Sequence, residues 1–401
     1  MSPIRFIGCV LLVISCMIGA GVLALPVLAM QMGIMNALII MLVFYIVMCI
    51  SGLLTLEVSI TMPKYRNHFG SMAELSFGSV GKYITIIAFA ITLYAALTAY
   101  VAASPEVIYP TIKNNFGEIM PQNLIGLIFT LVLGAIVILS VKYAEVLNRF
   151  IMGVKLGSLI LVVTLLIGYV SYIDFAMPKL IISKLPEQIS VIILAFSYQS
   201  IVPSLVNYIG KEHGQSIKKI IITATTFTCI IYILWVSVMV GLINQAATNV
   251  DVHSMSLAQL VDLIHHHSGS HFAPIMIEVF LNITLFTSFL ALSVAFVDFW
   301  IDALKLSSKY RGRIIAGLVA FIPPWIIATY FESVFIKALA VSGYAGLVFA
   351  LLLPTLVAYK LYSKNFPNGS MYLAGGKPVR AVMAIIAIFV MVVIFLGSLF
   401  L

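Results

Sequence analysis

The chain has 401 residues, 62% of them hydrophobic and 9% charged, with a mean hydropathy of +1.16. That composition excludes a soluble globular domain, and apolar runs of bilayer length recur from end to end. A formal charge of +8 would suit nucleic acid, but it is spread over alternate loops, as a membrane topology requires.

Length and apolarity predict about eleven spans, near 4–30, 34–60, 81–108, 122–141, 148–171, 188–210, 217–243, 272–302, 311–331, 333–359 and 380–401. The first carries a single charge, Arg5, and is too long for a cleavable signal. Yet "MIGAGVLALP" sets Gly19, Gly21 and Pro26 in its middle. Broken backbone at membrane depth survives only against protein or a water-lined cavity. The second span holds Glu57, a candidate proton relay or a paired structural group. On the third, Tyr94 and Thr98 share a face at i,i+4, and Tyr100 lies on another. The fifth holds Lys155, about 10 Å along the helix from Asn148. Its ammonium either snorkels to the surface or serves a buried function.

The sixth span, "LAFSYQSIVPSLVNYIG", places serines, Gln199, Asn207 and Pro203 where hydrocarbon is expected. It is either a kinked helix with back-bonded hydroxyls or a second broken span. Beyond the seventh, the interval 244–271 contains His265, His266, His267 and His271. Consecutive histidines cannot all face one ion without an unusual turn, so a solvated loop is expected, with a pH-responsive gate as the alternative. Glu278 opens the eighth span, and a structural role is expected for it.

Most of the 22 Lys and Arg fall in one alternate set of loops, from Arg5 through Lys64, Arg66, Lys142, Lys211, Lys218, Arg311 and Arg313 to Arg380. The opposite set holds Lys113, Lys179, Lys184 and Lys337. The positive-inside rule then predicts a cytoplasmic N-terminus and, with an odd span count, a periplasmic C-terminus. Cys9, Cys16, Cys49 and Cys229 lie within apolar segments without a CxxC pair, so neither a disulfide framework nor a zinc site is expected. No nucleophile–base constellation or nucleotide-binding loop is visible. That argues against an enzyme and a cofactor, and for an ion gradient as the energy source.

The two interrupted spans stand five apart, so they enter the membrane from opposite sides. Breaks at matching places in two five-span units of opposite orientation point to an inverted-repeat transporter. The expected units are 1–171 and 188–359, with 380–401 as an added helix. A half-helix N-terminus offers free N–H donors to a carboxylate, and unwound carbonyls can accept from an ammonium. Gly19, Ala20 and Gly21 would let such backbone groups approach a ligand closely, although close helix packing also explains glycines there. Phe196, Ser197, Tyr198, Gln199 and Ser200 would form the opposing wall, Gln199 within reach of a phenol. Tyr94, Thr98 and Tyr100 are candidates for a side-chain pocket with aromatic walls, and Ser15 precedes the first break.

In this order, "IGAGVLALP", "LYAALTAY", "VPSLVNYIG", "FTSFLALSVAFVDFWIDALK", "FIPPWIIA", "GYAGLVFALLLPTL" and "GGKPVR" resemble the bacterial aromatic amino acid permeases of the amino acid–polyamine–organocation superfamily, over nearly the whole chain. The resemblance implies an all-α polytopic protein of the bacterial inner membrane. Its fold would be a LeuT-like five-plus-five inverted repeat with broken helices 1 and 6 and an extra C-terminal helix. The implied activity is import of aromatic L-amino acids, tyrosine ahead of tryptophan, with protons as the coupling ion and alternating access. It also implies that Lys155 stands where sodium-coupled relatives hold a cation. There it would meet carbonyls near Gly19 and Val22 and the hydroxyls of Thr287 and Ser288. Burial disfavours an ammonium, so such a lysine can release and regain a proton as the site opens and closes. "FSYQS" departs from the family's usual "FGFHG". That keeps open a carrier or exchanger for other neutral amino acids, and a non-transporting sensor is the rival outside the transporter class.

Overall fold

The computed structural model describes residues 2–62, 67–139, 141–175, 177–178, 180–246, 272–307, 310–331, 334–363 and 373–398. The histidine-rich loop at 265–271 lies outside them. The elements are α1 (Pro3–Met17), α2 (Ala20–Met32), α3 (Ile34–Thr61), α4 (Phe69–Phe116), α5 (Gln122–Leu139), α6 (Val141–Leu166), α7 (Leu185–Ala195), α8 (Val202–Ile209), α9 (Gly214–Ala246), α10 (Phe272–Ala303), α11 (Tyr310–Tyr330), α12 (Val334–Leu347), α13 (Leu353–Ser363) and α14 (Lys377–Ser398). Among the described residues nine helical stretches are long and apolar enough to cross a membrane, and α1 with α2, bent by 53°, makes a tenth. α5 is the shorter apolar helix beside them. The protein is a multi-pass membrane protein. Its outer faces agree: Ile39, Leu42, Val43 and Ile46 line one exposed stripe of α3, as Ile385, Ile388, Phe389 and Val392 do on α14.

Three expected boundaries differ from what is observed. The third span does not begin near 81; α4 starts at Phe69 and passes through a non-helical Gly78 (φ 67°), so a short helix runs into the span proper. The fifth begins at Val141 and finishes as a 3-10 turn, Ile167–Tyr172. The tenth is split by a π turn, Val348–Leu352, between α12 and α13. A π turn leaves a carbonyl without its usual i+4 donor, and the Ser51 hydroxyl of α3 donates to Ala350 O there.

The first-span break follows from its residues. α1 ends at Ile18, whose N–H closes back on Ile14 O at 2.9 Å while its ψ turns to 78°. Gly19 leaves the helical region, and α2 starts again at Ala20. Pro26 then has no N–H, so the carbonyl four residues earlier, Val22 O, loses its intrahelical donor. The indole of Trp235 on α9 supplies the replacement at 2.9 Å.

The sixth-span break has the same anatomy. α7 stops at Ala195, residues 196–198 are non-helical, a 3-10 turn covers Gln199–Ile201, and α8 restarts with Pro203 in its first turn. α2 packs on α3, α7 and α9, so the two breaks sit side by side in the middle of the bundle.

At the chain's other end, Gly375 and Gly376 adopt φ of 109° and 87°, values that L side chains rarely take. That turn brings Ala374 N to Glu57 Oε1 at 2.8 Å and Arg380 Nη2 to Glu57 Oε2 at 2.7 Å. The "GGKPVR" segment is thereby fastened to α3 through a buried ion pair.

Candidate functional site

Gly21 and Ala195 mark the closest approach of the broken helices. A Cβ on Gly21 would come within 2.7 Å of Ala195 Cβ and 2.8 Å of its Cα, too close for any side chain. Gly21→Ala is therefore expected to cost about 1–3 kcal/mol, the usual range for overpacking a filled core. Thermal unfolding in detergent checks this; an unchanged midpoint would mean that the two helices are not held in contact. Gly19 faces another neighbour. Its built Cβ would lie 3.0 Å from Tyr100 Oη and 3.7 Å from Ser288 Oγ.

Lys155 reaches this break from α6 and is fully buried. Its Nζ donates to Ile18 O and lies 3.4 Å from Thr287 Oγ1 and 3.5 Å from Ser288 Oγ, both on α10. Thr287 donates its own proton to Ile283 O at 2.8 Å, which leaves its lone pairs directed at the lysine. Among the described residues no carboxylate comes within ion-pair distance of Lys155. The ammonium therefore rests on neutral oxygens alone. The main-chain acceptor is Ile18 O, next to Gly19, whereas Val22 O goes to Trp235.

On the opposing span, Phe196, Tyr198 and Gln199 are buried, Ser197 is half-buried and Ser200 is exposed. Phe196 packs edge-on against Tyr232 of α9 at 5.3 Å and lies 6.4 Å from the ring of Tyr45. The Gln199 amide is used within the scaffold: Oε1 accepts from Tyr198 N at 3.0 Å and Nε2 donates to Met48 O at 3.2 Å. Tyr198 Oη also lies 3.3 Å from Met48 O, over Gly52, where a Cβ would overlap the phenol. These two side chains seam the sixth-span break to α3. The Ser197 hydroxyl bonds back to Ile193 O at 2.8 Å.

The structure thus brings Gly19, Gly21, Phe196, Lys155, Thr287 and Ser288 around the paired breaks. Ser15 is half-buried on the last turns of α1. Ala20 opens α2 and adds its main chain to the break. Tyr94 stands elsewhere: its hydroxyl donates to Val319 O at 3.0 Å and its ring packs on Phe296 and Trp300. Thr98 is buried and back-bonded to Tyr94 O at 2.9 Å. Glu57 is held by the C-terminal segment, as described above.

Two residues that the motifs did not select join the site, and so does Tyr100, a candidate on the third span. Tyr100 touches Gly19; Tyr232 lies 2.6 Å from Met17 O and 3.1 Å from Ala195 O; Trp235 serves Val22 O. Pro26 was the available signal for the last, since a proline at that depth demands a foreign donor for the carbonyl it frees.

Residues 3–395 match the sequence family described as the tryptophan/tyrosine permease family. The chain is 28% identical to "Tyrosine-specific transport system 1" of Haemophilus influenzae over 89% of its own length and 88% of that protein's. It is 24% identical to a "Tryptophan-specific transport protein" of Pseudomonas aeruginosa, with 90% and 87% covered. Among solved structures it is similar to MhsT in complex with L-phenylalanine. The TM-score is 0.70, identity is 14%, and 99% of each chain is covered, a likeness that shows a shared LeuT-like fold.

Proposed function

Because the chain belongs to the tryptophan/tyrosine permease family, we propose that it imports aromatic L-amino acids, tyrosine ahead of tryptophan, by proton symport with alternating access. A permease delivers its substrate chemically unchanged, so the protein is not an enzyme. The observation that carries the reading is the pair of main-chain breaks meeting at Gly21 and Ala195 in the middle of the bundle. The N–H groups of Ala20 and Gly21 at the start of α2, beside a Gly19 whose own N–H goes to Met17 O, suit a carboxylate. Carbonyls at the ends of α1 and α7 suit an ammonium. Phe196, with Ser197, Tyr198, Gln199 and Ser200 along the same segment, supplies the facing wall. Ser15 flanks the volume in which the ring is read, whereas Tyr94 and Thr98 lie on the α4 face turned to α10 and α11. The names of several relatives, tyrosine-specific systems among them, support the aromatic choice.

For coupling, Lys155 is the group that gains and loses the proton, with Thr287 and Ser288 as its acceptors; Glu57 is a second relay candidate. A positive charge on Lys155 against Ile18 O also disfavours sodium there. Its bacterial permease relatives support a location in the inner membrane, and its loop charges support a cytoplasmic N-terminus and a periplasmic C-terminus. Residues 1–171 and 188–359 form the two inverted units, and 380–401 lies outside them.

The test is competition by the twenty amino acids against labelled tyrosine in proteoliposomes, with and without an inward proton gradient. Tyrosine, tryptophan and phenylalanine are expected to compete, and the gradient is expected to drive accumulation. Failure of every aromatic to compete would refute the substrate, and indifference to the gradient would refute the coupling.

A further inference from the structure

Met17 closes α1 and Ala195 closes α7, and each presents a carbonyl left over at the end of a half-helix. Between them stands the hydroxyl of Tyr232, 2.6 Å from Met17 O and 3.1 Å from Ala195 O, on a side chain with no exposed surface. Met17 O also receives the Gly19 N–H at 2.7 Å. A phenol has one proton, so it cannot fully satisfy both carbonyls at once. The ring is positioned independently of that hydroxyl, edge-on against Phe196. Three residues later on α9, Trp235 donates to Val22 O. α9 therefore holds the first-span break from both sides, and Tyr232 reaches across to the sixth-span break as well.

We propose that Tyr232 is a positioning residue that ties the two broken helices into one unit and fixes the spacing of the carbonyls that receive a substrate's ammonium. The assignment rests on the reading of the paired breaks as an amino acid site. An ammonium brings three donors, and acceptors already set in place spare the cost of ordering them on binding. Without the hydroxyl, Ala195 O loses this donor and Met17 O keeps only the Gly19 N–H. The half-helices then lose their common anchor.

The experiment uses the full-length protein and Tyr232→Phe, which keeps the ring on Phe196. Affinities are measured for tyrosine, for tyramine (amine without carboxylate) and for 3-(4-hydroxyphenyl)propanoate (carboxylate without amine). Amide hydrogen exchange is followed over 17–22 and 195–201. The variant is expected to bind tyrosine and tyramine about tenfold more weakly, the scale of one neutral hydrogen bond, and the propanoate within about twofold of wild type. Exchange should quicken in both segments together. Equal weakening of all three ligands, no weakening, or faster exchange in one segment alone would overturn the proposal. If wild-type protein binds no aromatic ligand, the substrate reading fails by itself, and the exchange result still decides whether Tyr232 is the tie.

Discussion

Lys155→Met is expected to lower proton-gradient-driven uptake at least about tenfold while leaving counterflow of labelled substrate within about twofold of wild type. The ammonium's only acceptors among the described residues are one carbonyl and two hydroxyls, so the surroundings pay no ion-pair energy for keeping it charged. Taking an unpaired charge out of water costs several kcal/mol, and loss of the proton removes that cost. The two protonation states differ in what they do at the break. A charged Lys155 pulls Ile18 O toward α6 and joins α1 to α10; a neutral amine holds it far less strongly. A methionine of similar length fills the same space without either state. In the proposed symport, exchange needs only the substrate to cross, whereas concentrative uptake needs the proton to cross with it. The measurement is uptake into proteoliposomes at a series of imposed pH differences, set against counterflow at equal pH. A variant that still followed the pH difference would show that the proton travels by another route, with Glu57 the next group to replace.

Arg380→Met carries the largest expected loss of stability. Glu57 and Arg380 are each only 3–4% exposed, and the pair is 2.7 Å long. Removing one partner leaves the other charge buried and uncompensated, at a cost of about 3–5 kcal/mol. The double variant Glu57→Gln, Arg380→Met should recover most of that loss. The glutamine oxygen still accepts from Ala374 N, and no buried charge is left. Unfolding in mixed micelles, compared across the two single variants and the double, decides the matter. If the double variant were no more stable than Arg380→Met, the pair would not be the source of the cost. Because Arg380 begins α14 and Glu57 lies near the end of α3, the loss should appear first as loosening of the C-terminal helix.

The spans and both breaks were legible because the signals are local. A bilayer-length apolar run announces a helix, and Gly19, Gly21, Pro26 and Pro203 announce where it cannot continue. Thr287 and Ser288 could be placed beside Lys155 only through family resemblance, since more than 130 residues separate them in the chain. Tyr94 and Thr98 share an i,i+4 face that does not carry Tyr100. That face meets α10 and α11, and the face carrying Tyr100 meets Gly19. Helical periodicity identifies which residues travel together; it does not say which neighbour they meet. Tyr232 was illegible for a similar reason, and Pro26 announced that a donor was needed without saying that Trp235 supplies it. Their contribution is a donor delivered across a helix interface to a carbonyl, and a carbonyl carries no residue-specific sign in the sequence. The Glu57–Arg380 pair joins the second span to the last, a distance over which charge patterning has no reach.

The π turn at Val348–Leu352 gives the tenth span a surplus residue. One residue is about 100° of helical phase, so α13 is rotated relative to the face that α12 would have continued. Thr355 and Ala358, an i,i+3 pair, are buried on that shifted face. Deleting a single residue inside the turn would restore an unbroken α-helix and swing that pair about 100° out of its present place. The span would stay as apolar and nearly as long, yet the wrong side of its second half would face the bundle.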